Sequence, residues 1–213
     1  MTAREDFHLG AAVYSSDGKH VGSLKRILVE EADFELRALV LEESKVFSGR
    51  LLAPGSVMME DDLVVPAQSV ESATHERVQL SLTAAQIRRL PPYLTYRRTA
   101  PSLDQNLQEF EATLGANPGI RRLREIAAKP QDEIEIDVAE NVMVGHSGRK
   151  LGQVKDVLFD GNDLIGVVVD PAGLFKKPVV LPRRFLSRSD DLALFVDLNE
   201  EEINNLKLFK PAD

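Results

Sequence analysis

Apolar positions fall in short runs along the chain, and the runs come in two series. "AAVYSSDGKHVGSLKRILV" (11–29) predicts a strand, a tight turn and a second strand, with Asp17-Gly18 supplying the positive φ that hairpin turns need. "RALVLE" (37–42) and "VVPAQSV" (64–70) are apolar runs of strand length, the second checked by Pro66. "ERVQLSL" (76–82) alternates apolar and polar residues as a half-buried strand does. Thr83 and Gln86 then stand at capping-box spacing before Ile87 and Leu90, which predicts a short helix. Along the first long run Val21, Leu24, Ile27 and Val29 do not alternate cleanly, and Gly22 inside it signals a bulge or a close backbone approach.

The second series repeats the first in order. Shifted by 130 residues, Gly18 falls on Gly148, Gly22 on Gly152, Lys25 on Lys155 and Leu28 on Leu158. Shifted by 128, "RALVLE" meets "IGVVVD" (165–170). Shifted by 116, Pro66 falls on Pro182, Leu82 on Leu198, Ile87 on Ile203, Leu90 on Leu206 and Tyr93 on Phe209. Asn199 and Glu202 renew the capping-box spacing. Chance would not hold this order over most of both halves, so the chain is a tandem duplication. Many short strands with turn signals, each series closed by a helical turn, predict a mainly β fold of two small barrels. The expected division is 1–96, a helical connector at 97–132, and 133–213.

The arrangement resembles the PRC-barrel domain family. The residues that carry the likeness are "VGSLKRILV", "ALVLE", "VVPAQSV" and "VQLSLTAAQIRRLPPY", and in the second copy "LGQVKDVLF", "IGVVVDP", "VVLPRRFL" and "LFVDLNEEEINNLKLF". Such domains occur in the cytoplasmic part of the photosynthetic reaction-centre H subunit and in the C-terminal half of a ribosome maturation factor. The resemblance implies a strongly bent β-barrel used as a protein-docking scaffold, and it implies no reaction. Two further roles follow by analogy: association with the ribosome or RNA, and, as a soluble H-subunit-like protein, with a membrane electron-transfer complex.

Composition narrows the function classes. Acidic residues (34) outnumber basic ones (26), for a formal charge of −8, which disfavours nucleic-acid and anionic-membrane surfaces. There is no Cys, so disulfide, thiolate-metal and thiol chemistry are excluded. No run reaches the ~18 apolar residues of a membrane-spanning helix, and "MTAREDFHLG" has no signal-like apolar region. The expectation is a cytoplasmic, non-enzymatic protein. His8, His20, His75 and His146 lack metal-pair spacing and read as exposed turn residues; no metal or cofactor is expected. The acidic runs at 60–62, 190–191 and 200–202 read as solvated, the last favourable at a helix N-terminus.

Candidate residues fall into three sets. Gly18, Gly22, Gly148 and Gly152 are expected to be structural, at turns and bulges. The first copy carries twelve extra residues, "LLAPGSVMMEDD" (51–62), whose Val57, Met58 and Met59 could make adaptable partner contacts. Lys176, Lys177, Arg183 and Arg184 flank one strand of the second copy and could converge on an acidic partner.

The connector is patterned, not linker-like. Leu103, Leu107, Phe110 and Leu114 form a helical stripe between Ser102 and Gly115, and Ile120, Leu123 and Ile126 continue after "NPG". An isolated helix of this length is marginal in water, so the stripe needs a partner surface, either within the chain or in a homodimer. For a connector clamped between the barrels, Leu107→Asp with Phe110→Asp should lower the melting temperature and leave the mass in solution unchanged. Conversion of a dimer into a folded monomer would place the contact between chains. Rapid hydrogen exchange throughout 102–128 of the wild type would exclude both arrangements.

Overall fold

Gly18 and Gly148 adopt left-handed backbone (φ 74° and 63°). They fold β1 (Ala12–Tyr14) onto β2 (His20–Glu30) and β8 (Asn141–Val144) onto β9 (Arg149–Asp160). The computed structural model describes residues 7–44, 62–93, 133–172, 177–190 and 193–210. The expected connector at 97–132, the Val57–Met59 stretch and Lys176 lie outside the described residues.

The first sheet continues with β3 (Leu36–Glu43), β4 (Leu63–Pro66), β5 (Val70–Ala73) and β6 (Arg77–Leu80), followed by the one-turn helix α1 (Ala84–Ile87). After β7 (Glu133–Asp137), the second sheet adds β10 (Asp163–Pro171), β11 (Val179–Pro182), β12 (Leu186–Ser189) and β13 (Ala193–Val196). Then come α2 (Glu200–Asn204) and the two-residue β14 (Lys207–Leu208). The ladders run β5-β6-β1-β2-β3-β4 in one sheet and β12-β13-β8-β9-β10-β11 in the other, each with a parallel pair, β1 with β6 and β8 with β13. A single 3₁₀ turn (Ala67–Ser69, Arg183–Phe185) joins the two ends of each path. Among the described residues no ladder closes either path into a barrel. Both capping boxes form: Thr83 and Asn199 accept from the N–H three residues on, and Gln86 and Glu202 return the bond. No helix among the described residues is long and apolar enough to cross a membrane.

The irregular spacing along the long strands is a set of bulges, placed alike in both copies. Val21 and Leu151 are the unpaired extra residues opposite β1 and β8. Lys25 and Lys155 are the extras opposite β3 and β10. Each bulge flips the strand's inward face by one residue and deepens its bend. Between the two bulges sits the glycine. A Cβ on Gly22 would lie 1.9 Å from the Glu42 carbonyl oxygen, and one on Gly152 2.2 Å from that of Asp170. Only glycine lets the bent strands approach this closely.

The copies meet across a pseudo-two-fold seam. The Leu36 N–H donates to the Asn162 carbonyl (2.9 Å) and the Leu164 N–H to the Phe34 carbonyl (3.0 Å), so the two hairpin ends hydrogen-bond reciprocally. Phe34 reaches this with left-handed backbone (φ 64°), and Gly161 does so in the facing turn (φ 63°). The entering segment of each copy also crosses to the other. β7 opens the second copy in sequence, yet it pairs antiparallel with β2 of the first, Arg26 opposite Asp137 through Glu30 opposite Glu133. Phe7 packs edge-on against Phe159 (5.2 Å), and the Leu9 N–H donates to Asp156 (3.0 Å). His8, expected from the sequence to be exposed, is buried: its Nδ1–H donates to Asp156 Oδ2 (2.5 Å) and its ring lies tilted against His75 (4.1 Å between centres). A histidine follows its partners, and here a carboxylate on the other copy holds it inside. The result is a main core with residues from both sheets, including Ile134 and Ile136 of β7, beside a smaller cluster of Leu28, Ala38, Val40, Val64 and Tyr93 in the first copy. Full burial of each isoleucine is worth about 1.5–3 kcal/mol before entropy.

The seam is pinned by a nearly buried cation. Arg26 reaches Glu135 (2.7 Å), Asp62 (3.2 Å) and Asp137 (3.3 Å), and its guanidinium lies 4.6 Å from the Tyr93 ring centre. Burial works against the charge on Arg26, but Asp137 and Glu135 outweigh it and hold the group above its ordinary range. For Asp137 burial is the largest influence and pushes the carboxyl up; Arg26 pulls it back and Glu135 pushes further.

Two predictions follow from these contacts. Gly22→Ala and Gly152→Ala should each cost about 3 kcal/mol or more, at the top of the overpacking range because the obstacle is backbone. Gly18→Ala, in open space, should cost about 1–2 kcal/mol from its left-handed backbone alone. Denaturant titrations rank the variants, and equal losses at Gly18 and Gly22 would contradict the close-approach account. Arg26→Met removes the guanidinium from beside Glu135, Asp137 and Asp62, of which Asp62 keeps Lys25 at 3.3 Å, and should cost about 3–5 kcal/mol at pH 7. A carboxyl whose folded pKa is raised favours the fold below its unfolded pKa and loses that contribution as pH rises through the folded value. Removing Arg26 raises Asp137 further, so the variant's deficit should shrink between pH 7 and pH 4. A deficit independent of pH would show that the loss is packing alone.

Candidate functional site

Two grooves flank α2 in the second copy. The larger, about 660 Å³, has a floor of Leu151, Pro171, Val179, Ile203, Leu206 and Leu208, with Arg149, Lys150 and Lys177 at its rim. Across α2, a groove of about 470 Å³ is lined by Val180, Pro182, Phe185 and Leu206 with Arg184, Lys207, Glu201 and Glu202. Leu206, just past the end of α2, lines both.

The same structural positions in the first copy are closed. Ile87 (0% exposed), Leu63 and Tyr93 are buried there, while their counterparts Ile203, Val179 and Phe209 are only partly covered. Pro92 bridges to Leu63 as Leu208 pairs with Val179, yet Leu208 is 55% exposed. The difference begins at the helix N-terminus. In the first copy α1 is drawn onto the hairpin turn: the Ala84 N–H donates to Asp17 (2.8 Å), and Ala84 is buried. That bond, with the Ser15 hydroxyl second, lowers the Asp17 carboxyl to about 2. In the second copy Ser147 stands in place of Asp17 and Glu200 in place of Ala84. Glu200 instead reaches sideways to Arg149 (2.6 Å) in an exposed pair, and α2 has no buried residue.

The candidate residues separate accordingly. Lys177 rims the larger groove and Arg184 the smaller, at opposite ends of β11. Arg184 lies over the Phe185 ring (4.4 Å). Arg183 lines neither groove: it donates to the Asp33 carbonyl across the seam (3.1 Å) and to the Leu164 carbonyl of its own copy (3.3 Å). The four glycines serve turns and close approaches. Arg149, Lys150 and Leu208 were not singled out by pattern. The signal for them was the divergence between copies, where Lys19, His20 and Pro92 become Arg149, Lys150 and Leu208. Among the described residues no group of three or more His, Asp or Glu side chains could hold a metal ion.

A search of curated proteins finds no match for the chain. The family model described as the PRC-barrel domain matches it twice, over residues 9–83 and 142–203. Each matched segment takes in nearly the whole of one sheet, and the two sheets share strand order, bulges and capped helix. The chain therefore belongs to the PRC-barrel domain family, with two copies of the domain in tandem.

Proposed function

We propose that the chain is a non-enzymatic docking module in which the first copy is a closed structural half and the second presents the binding surface. The observation that supports this is the difference at equivalent positions: Leu63 and Ile87 are buried beside α1, while beside α2 their counterparts Val179 and Ile203 are half-covered and Leu208 is exposed at the edge of a groove. Exposed apolar residues gathered at one concave place mark interaction sites more often than scattered ones do. The polar groups at the seam have a structural task, holding the two copies in register, and among the described residues the α2 face is the surface offered for recognition.

The test is affinity purification of the full chain from its native host, with identification of the proteins retained. The variant Leu208→Glu, at the exposed edge of the groove, should lose the identified partner and keep the wild-type melting temperature to within a few degrees. Retention of every partner by that variant would remove the α2 face from the docking role.

A further inference from the structure

We infer that the larger α2 groove binds a short acidic segment of a protein partner, one that inserts apolar side chains between carboxylates. This inference rests on the docking reading above and adds the chemistry of the occupant. Val179, Ile203, Leu206 and Leu208 supply an apolar part of the lining, and Leu208 is more than half exposed. The rim carries three cations, Arg149, Lys150 and Lys177, against one carboxylate, Glu200. Glu200 is taken up by Arg149 at 2.6 Å. Lys150 and Lys177 have no ion-pair partner among the described residues, and both are exposed. The groove therefore offers two unopposed ammonium groups beside apolar side chains, on a chain whose formal charge is −8.

That combination selects its ligand. A continuous polyphosphate would meet the negative field of the whole chain and would gain nothing from the apolar side chains. A wholly apolar segment would leave the ammonium groups uncompensated as they lose water. A short segment with carboxylates flanking apolar residues satisfies both. Its side chains fit a groove of about 660 Å³, within the usual range for small-ligand and peptide sites. In the first copy His20 stands in the place of Lys150, and Leu63 and Ile87, the counterparts of Val179 and Ile203, are buried.

The experiment is selection of a random phage-displayed dodecapeptide library on the immobilised full chain, followed by synthesis of the enriched peptides. Enrichment of sequences mixing Asp or Glu with Leu, Ile or Phe is expected. A fluorescent copy of the best peptide should bind Lys150→Glu with Lys177→Glu about tenfold or more weakly than wild type, since like charges now face each other. It should also weaken with rising salt and fail on Leu208→Glu. Thermal melts check that these surface variants fold. Enrichment of neutral or basic peptides that still need Leu208 would overturn the partner chemistry and leave the docking reading standing. Binding unaffected by any of the three substitutions would place the site elsewhere and overturn the inference. No enrichment at all would count against both the inference and the docking reading. A dimer in light scattering that Leu208→Glu converts to monomer would seat a second copy in the groove and overturn the acidic-partner assignment.

Discussion

The bend of the two long strands is the constraint on which the remainder rests. β2 and β9 run eleven and twelve residues, and each must serve two neighbourhoods. The first part of β2 lies beside β1, and from Arg26 onward the same side lies beside β7. A flat strand could not do both. The extra residues at Val21 and Lys25 turn it, and Gly22 lets it pass within contact of β3 while turning. Leu151, Lys155 and Gly152 do the same for β9. At the helix that closes each copy the two then diverge, Ala84 giving way to Glu200 and Pro92 to Leu208.

Because the strands bend, charged groups end up inside. Arg26 emerges where β2 leaves its own sheet and enters the seam, facing carboxylates from β7 and from Asp62, just ahead of β4. An ion cluster of this kind adds little net stability over an apolar one of equal shape, but its geometry is directional. A slip of β7 by one residue would exchange Ile134 and Ile136 for Glu133 and Glu135 in the core. The guanidinium penalises that slip by losing Glu135 and Asp137 together.

Much of this was legible in the chain. The turn glycines, the capping boxes at Thr83 and Asn199, the strand runs and their duplication are local, and local pattern reports them. The bulges were visible only as broken alternation at Val21 and Leu24, because periodicity shows that a strand is irregular without showing which residue is left out. The crossing of β7 was not legible. "EIEID" alternates as any half-buried strand does, and nothing in that alternation says whose edge it joins. His8 was misread for a related reason: its partner Asp156 lies 148 residues away. The α2 groove was written as differences between copies, Asp17 against Ser147 and Ala84 against Glu200. Those differences acquired meaning once the first copy showed what the closed form looks like.

The reciprocal crossing also bears on how the protein behaves at low concentration. Each half carries an edge that the other covers: β2 from Arg26 to Glu30 takes β7, and β9 at Asp156 takes the segment at His8 and Leu9. A single half made alone would expose that edge as a template for another chain. Two separate halves would meet only as often as their abundance allowed. On one polypeptide the encounter is intramolecular, so the paired state is insensitive to dilution and its stoichiometry is fixed at one to one. Fusion also frees the halves from having to be identical. A symmetric pair would have to open both helix sites or neither, whereas this chain keeps one shut and leaves the other available.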